Sequence, residues 1–250
     1  MLEILSYSFS TSEVLVIVLA AILIGMAKTG VHGSGMIAVP MIAIIFGGKD
    51  STGFILPILI FADIFAVRKY HQHADWYQLR RLLPYAVLGI IIGTLIGDVI
   101  DDDAFTQIMA FIIFSCVALM VWRELQTDPV IPSSAWFVSS IGIIGGFATM
   151  VGNLAGPVMG LFLLAMRFPK NAFLGTAAWF FLSVNVIKVP LHIFIWETIS
   201  IDSFLINLML IPAIGLGAYL GIRLIKLVPE KPFRWFIIGM TFIAALAMVI

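Results

Sequence analysis

The sequence predicts an all-α integral membrane protein made of two inverted repeats, residues 1–127 and 128–250. Each repeat is a broken helical hairpin followed by three transmembrane helices, in one integrated domain. Three observations carry this: the composition, the lengths of the apolar runs, and a reversal of loop charge between the halves. Of 250 residues, 62% are hydrophobic and 11% charged, with a mean hydropathy of +1.12. Soluble domains are about 25% charged and 45–50% apolar, so water is not this chain's main solvent. Dense hydrophobicity with low charge also excludes intrinsic disorder. The 14 bases and 14 acids cancel, leaving no overall field to draw nucleic acid. Cys116 is the single cysteine and has no intrachain partner. No basic stretch precedes the first apolar run, so no cleaved signal peptide is expected.

The first apolar region, 13–47, is interrupted by Lys28-Thr29-Gly30-Val31-His32-Gly33-Ser34-Gly35. Its arms, Glu13 to Lys28 and Ser34 to Gly47, give about 24 and 21 Å of helix, and neither is expected to cross about 30 Å of hydrocarbon. Non-helical backbone at membrane depth survives only where protein or a water-filled cavity satisfies it. The region therefore reads as a hairpin whose broken tip lies deep in the membrane. Three long spans follow, at roughly 53–69, 79–98 and 104–122. The second half repeats the order. Its hairpin, 134–166, is interrupted by Met150-Val151-Gly152-Asn153-Leu154-Ala155-Gly156-Pro157, and spans at roughly 171–191, 204–223 and 233–250 follow. Connecting loops of at most about a dozen residues leave no soluble domain for chemistry.

The halves also align. Pro84, Gly89 and Gly93 fall on Pro212, Gly217 and Gly221 without gaps, and the same offset carries Phe105 onto Phe233 and Phe114 onto Phe242. A second offset puts Gly35 on Gly156 and His32 on Asn153. Lys and Arg mark cytoplasmic loops. Arg68, Lys69, Arg80 and Arg81 follow the first long span, and Asp98, Asp101, Asp102 and Asp103 follow the second. In the second half Glu197 and Asp202 come first, and Arg223, Lys226, Lys231 and Arg234 after them. Equivalent loops thus lie on opposite sides, both termini come out extracytoplasmic, and inverted repeats with discontinuous helices are the mark of secondary transporters.

An ammonium near the midplane is expensive, which makes Lys28 a functional candidate. It reads either as a cationic contact for an anionic substrate or as a partner that neutralises Asp63. The half-helices starting near Ser34 and Gly156 present unpaired N–H groups and positive dipole ends, and Gly30, Gly33, Gly35, Gly152 and Gly156 let an anion approach that backbone. His32 and Asn153 hold matching tip positions, either to contact an oxyanion or to satisfy tip backbone. Asp63 and Asn185 correspond in the first long span of each half, with Lys188 one turn beyond Asn185 on the same face. Asp63 and His32 are the candidates for proton coupling. Gly89, Gly93 and Gly97, with Gly217 and Gly221, are read as helix-packing stripes. His71, His73 and Asp75 lack a fourth ligand, so no metal is expected, and no cofactor motif or catalytic constellation is present.

Gly25-Met-Ala-Lys28-Thr-Gly30-Val-His-Gly33-Ser-Gly35, followed by Pro40, resembles the N-terminal motif of the TauE/SafE sulfite exporter family. Tyr70-His-Gln-His-Ala-Asp75-Trp76 leading to Gly89, Gly93 and Gly97 resembles its next block. Val151-Gly152-Asn153-Leu154-Ala155-Gly156-Pro157 resembles the second-half motif, with Leu154 and Ala155 where glycines are often found. The resemblance implies a multi-pass protein of the bacterial inner membrane that exports sulfur-containing anions such as sulfite, sulfoacetate or other organosulfonates. The bulkier Leu154-Ala155 tip suggests an organic sulfonate as cargo. The expected function is alternating access with the anion at the midplane between the tips; a passive anion channel and a proton-coupled uptake permease are the alternatives. Expected partners are the anion, the lipid bilayer and, as a candidate, a second copy of the chain in a homodimer; nucleic acid is not among them, and no enzymatic activity is expected.

Overall fold

A computed structural model of the chain describes residues 2–31, 33–97, 102–126 and 134–249. His32, Asp98, Asp101 and the expected join of the repeats at 127/128 lie outside the described residues. Two short antiparallel strands, β1 (Leu2–Ile4) and β2 (Tyr7–Phe9), precede the helices, with Leu2 opposite Phe9.

Helix α1 (Thr11–Thr29) begins at a capping box: the Ser10 hydroxyl accepts from the Glu13 N–H, and the Glu13 carboxylate accepts from the Ser10 N–H. After the break at Gly30–Gly33, α2 (Ser34–Phe46) folds back along α1, so that Ala38 and Ile42 join Ile17, Ala21 and Ile24 in one buried cluster. Gly47, at φ 85°, turns the chain into α3 (Gly48–Tyr70) in a conformation only glycine adopts readily. A 3-10 turn at His71–His73 leads to α4 (Trp76–Ile96), capped by Asp75, and then to α5 (Asp102–Glu124). The second half has α6 (Ala135–Gly152), α7 (Ala155–Ala165), α8 (Lys170–Phe194), α9 (Ile201–Met209), α10 (Ile211–Leu227) and α11 (Glu230–Val249). In its hairpin α7 folds back onto α6, bringing Val158 against Gly145.

Two expectations need correction. The first arm of each hairpin is longer than the sequence reading gave, 19 and 18 residues or about 28 and 27 Å. Both are long and apolar enough to cross a membrane. The Ser10 cap starts α1 two residues earlier than expected, and α6 does not stop at Thr149 but runs on to Gly152. Only the second arms, α2 and α7, are short, at 13 and 11 residues. The expected span 204–223 is also broken, into α9 and α10 with a bend of 49°. The chain tightens at Leu210, whose N–H donates to Asn207 O, and Pro212 cannot restore the missing helical bond.

Packing between the halves is reciprocal. α1 lies on α10 and α6 on α4, each along a glycine seam. A Cβ on Gly25 would overlap Ile214 O, and one on Gly146 would overlap Ala86 O; likewise Gly217 abuts Ile22 O and Gly89 abuts Ile143 O. These partners are related by the same two offsets that align the halves in sequence. Close helix approach is thus the role of Gly89 and Gly217. Helices α3 and α8 cross between the seams and run antiparallel: Gly53 meets Thr198 at one end, and Gly175 meets the Tyr70 carbonyl at the other. Charge sorts to the two ends. Glu13, Asp50 and Glu197 line a pocket beside the strands, whereas Lys69, His73, Lys170 and Lys226 line one at the opposite end.

Candidate functional site

Each hairpin tip is tied to a long helix by a lysine. Lys28, in the last turn of α1, places its ammonium 3.1 Å from Asp63 Oδ1 on α3 and 3.8 Å from the centre of the Phe181 ring on α8. Asn185 donates to the other Asp63 oxygen at 2.7 Å, which brings the matched pair Asp63 and Asn185 together where α3 and α8 cross. In the second half the lysine comes from the long helix instead. Lys188 on α8 donates to Thr149 O at 2.7 Å, to Thr149 Oγ1 at 3.2 Å and to Asn153 Oδ1 at 2.5 Å. Asn153 sits in the left-handed region, φ 56°, and closes α6: its N–H donates to Thr149 O, and the Leu154 N–H donates to Ala148 O. Asparagine tolerates this conformation better than most residues. Its amide also donates to Thr52 O at the start of α3, so this tip is anchored to both long helices.

Between the tips lies a cavity of about 60 Å³, several times the space one water needs. Of the residues singled out from sequence, Lys28, Gly33, Gly35, Asn153, Gly156 and Asn185 line it. Its remaining walls are mostly apolar. Neither α2 nor α7 has a side-chain cap at its start, and a Cβ on Gly156 would meet nothing within 4 Å. The starts of two half-helices, at Gly35 and at Gly156, therefore border the same small space as the Lys28 side chain, while the Ser34 and Met36 N–H groups already donate to Val31 O and Gly33 O. The side chain of Lys28 is 12% exposed, while Asp63 and Lys188 are wholly buried. Of the two lysines, Lys28 borders the cavity and is paired with the carboxylate behind its wall, and Lys188 stands outside it.

The other residues singled out do different work. Gly30 packs against Ile225 and Gly221, and the Ser34 hydroxyl donates to Leu23 O and Val31 O within its own hairpin. Gly152 is buried in the last turn of α6 and does not line the cavity; Asp63 and Lys188 stand behind its wall and touch wall residues. His32 lies outside the described residues. Leu154 and Ala155 are not wall residues, and Leu154 is buried with Ile113 and Ala148 in a cluster that packs behind the wall residues Met36 and Val39, so the pair does not itself shape the cavity for an organic cargo. Asp75 is spent capping α4, and among the described residues no three metal-ligating side chains converge.

Sequence reasoning missed Thr149, Phe181 and Thr241, all of which line the cavity. The first two were findable. Thr149 lies one turn before Asn153, and Phe181 one turn before Asn185, so helical spacing already put each on a face assigned to the site. Thr241 on α11 carried no such signal.

A comparison with curated proteins gives no match. A model of the sulfite exporter TauE/SafE family matches residues 17–248, nearly the whole chain and both hairpins with the site between them. A multi-pass membrane transporter for an anion agrees with the five helices among the described residues that are long and apolar enough to cross a membrane, the bent α9–α10 pair as a sixth, and a cavity bordered by Lys28. The chain belongs to the TauE/SafE sulfite exporter family.

Proposed function

We propose that the protein is a secondary transporter that exports a small sulfur-containing anion, sulfite or a compact sulfonate, by alternating access. The carrying observation is Lys28. Its ammonium sits on a broken helix tip at the wall of a cavity that also borders the N-termini of α2 and α7. An oxyanion there takes one charge-assisted bond from Lys28 and further bonds from backbone N–H groups. Asn153 and Asn185 contribute side-chain amides from the wall, while Lys188 holds Asn153 in place. Asp63 pairs with Lys28 while the cavity is empty, and is the group proposed for proton coupling.

Two further observations support alternating access by inverted repeats. The matched helices α3 and α8 run antiparallel, and each hairpin packs against the other half's helix along the glycine seams. Such an arrangement lets one hairpin-and-helix unit rock against the other around a fixed site. The basic end is assigned to the cytoplasm. Export of a dianion from a cell that is negative inside is then driven by about 2.3 kcal/mol per charge per 100 mV.

The test is counterflow in proteoliposomes made with the full chain. Labelled sulfite outside should accumulate transiently in vesicles preloaded with unlabelled sulfite, and Lys28→Met should abolish this while the protein still purifies as a folded species. Flux that is linear in concentration and shows no counterflow would replace the carrier with a channel. Full flux in the Lys28→Met protein would remove the proposed site.

A further inference from the structure

A second concave site stands at the basic end of the bundle, outside the cavity just described. It has a volume of about 240 Å³ and lies between the end of α3, the start of α8 and the end of α10. Lys69, Lys170 and Lys226, one from each helix, converge on it, with His73 from the 3-10 turn and Asn171 beside them. No carboxylate among the described residues lines it. Cations from three separate elements around one concavity, with no carboxylate facing them, give it a local field that favours an anion. The pocket is held open by its corner. The Asp75 N–H donates to Thr176 Oγ1 at 2.9 Å, and the Gly175 backbone packs directly on the Tyr70 carbonyl. Lys170 is anchored in turn by donating to Ile225 O and Val228 O at the end of α10. Lys69 and Lys226, both exposed at the rim, supply charge without a share in this framework.

The floor of the pocket is Tyr70, whose hydroxyl donates to Thr29 O at 3.0 Å. Thr29 follows Lys28 directly, and its own hydroxyl donates to Gly25 O and Ala218 O. One tyrosine side chain thus separates the basic pocket from the tip that carries Lys28. The opposite end offers no equivalent, because its pocket is lined by Glu13, Asp50 and Glu197.

The geometry points to a second anion site at this basic mouth, formed by Lys69, His73 and Lys226 over Tyr70, which takes an oxyanion and stages it next to the Lys28 tip. This deepens the transport reading and rests on it for the word staging; binding at the mouth stands or falls by itself. The shared ligand chemistry is a compact tetrahedral or pyramidal oxyanion, either a free one such as sulfite or the phosphate of an anionic lipid headgroup.

The experiment uses the full chain in nanodiscs of phosphatidylcholine, titrated with sulfite by calorimetry, alongside the double variant Lys69→Gln/Lys226→Gln and the variant Lys28→Met. Two classes of sulfite site are expected in the unaltered protein. The double variant should lose one class, Lys28→Met the other. In discs containing phosphatidylglycerol, a headgroup occupant would suppress the mouth class, and lipid retained through purification would fall in the double variant. Either pattern confirms the mouth and identifies its occupant. In proteoliposomes the double variant should raise the half-saturating sulfite concentration on the basic side about tenfold, leaving the other side unchanged. Sulfite titrations and lipid retention that are identical in the double variant and the unaltered protein would overturn the proposal. Loss of the mouth class in a protein that shows no sulfite flux at all would instead retire the transport reading and leave the site standing.

Discussion

Each hairpin tip is joined to a long helix by a lysine, with the parts exchanged. At the first tip the lysine sits on the hairpin and reaches out to a carboxylate on the long helix, Lys28 to Asp63. At the second, the lysine sits on the long helix and reaches in to neutral acceptors on the hairpin, Lys188 to Thr149 and Asn153. Exposure separates them further. Lys28 borders the cavity and is partly exposed, whereas Lys188 is wholly enclosed and makes three hydrogen bonds. Reciprocal backbone contacts therefore support two unlike tips: one whose ion pair borders the cavity, and one that is latched. The likeness between them lies in the glycine seams and the helix crossing, and the difference in the charged contacts.

That division can be broken first at the seams. Gly25→Ala and Gly146→Ala each place a methyl on a backbone carbonyl of the partner helix, which cannot move aside as a side chain can. Each should cost about 3 kcal/mol or more in overpacking and strain, and the two costs should be equal within error. Thermal unfolding in detergent, read beside the yield of folded protein, checks this. A large cost in one half only would show that the seams are not equivalent.

The tips should then part company. Lys28→Met made together with Asp63→Asn, so that no buried carboxylate is left without its counter-ion, is expected to lower sulfite flux about 100-fold, equivalent to ~2.7 kcal/mol of lost charge-assisted binding, with little change in melting temperature. Lys188→Met should lower both together. It leaves Asn153 Oδ1 without its donor and Thr149 O with only the Asn153 N–H, at a net cost of about 2 kcal/mol once the lysine's own desolvation is returned. Parallel flux and melting measurements on the two variants test the split. If Lys188→Met lost flux at unchanged stability, the second lysine would be a substrate contact and the latch would be wrong.

Asp63→Asn probes the contested bond directly. The amide keeps a partner in Asn185 but removes the carboxylate that competes for Lys28. The half-saturating sulfite concentration should fall about fivefold, as one opposing charge is withdrawn from the site, and any proton movement accompanying sulfite should disappear. A rise instead would mean that Asp63 serves by positioning Lys28 rather than by competing for it.

Much of this was legible in the sequence because periodicity and charge are local signals. The broken apolar runs located both hairpins, and the matched Pro84/Pro212 and Gly89/Gly217 positions anticipated the reciprocal seams. Loop charge marked Glu197 and Lys226 as belonging to different ends, and they line the acidic and the basic pocket respectively. The Lys28–Asp63 pair was one of two readings open for those residues. What stayed hidden depended on long-range geometry. Nothing local assigns Lys188 to the carbonyl of Thr149, 39 residues away, and Gly30 looks like a ligand-facing glycine until Ile225 is seen against it. The helix ends were misjudged for a different reason. A polar residue such as Thr149 reads as a break, yet its side chain was satisfied inside the helix by a lysine from another element, so α6 could continue to Gly152.

The smallest effect isolates the backbone of the latched tip from its side chain. Asn153 holds φ 56° and also links Lys188 to Thr52. Asn153→Gly and Asn153→Ala both remove the amide, so they should lose the same side-chain contacts and show the same fall in flux. They differ in the backbone, because alanine pays about 1 kcal/mol for the left-handed conformation that glycine adopts freely. Asn153→Ala should thus melt a few degrees below Asn153→Gly, the shift expected of about 1 kcal/mol in a domain of this size. Should the alanine variant also lose markedly more flux than the glycine variant, the tip's conformation itself, and not only the amide held by Lys188, would be part of what the anion meets. The second tip would then be less of a fixed latch than its enclosed lysine implies, and the contrast with the Lys28 tip would narrow to a difference of degree.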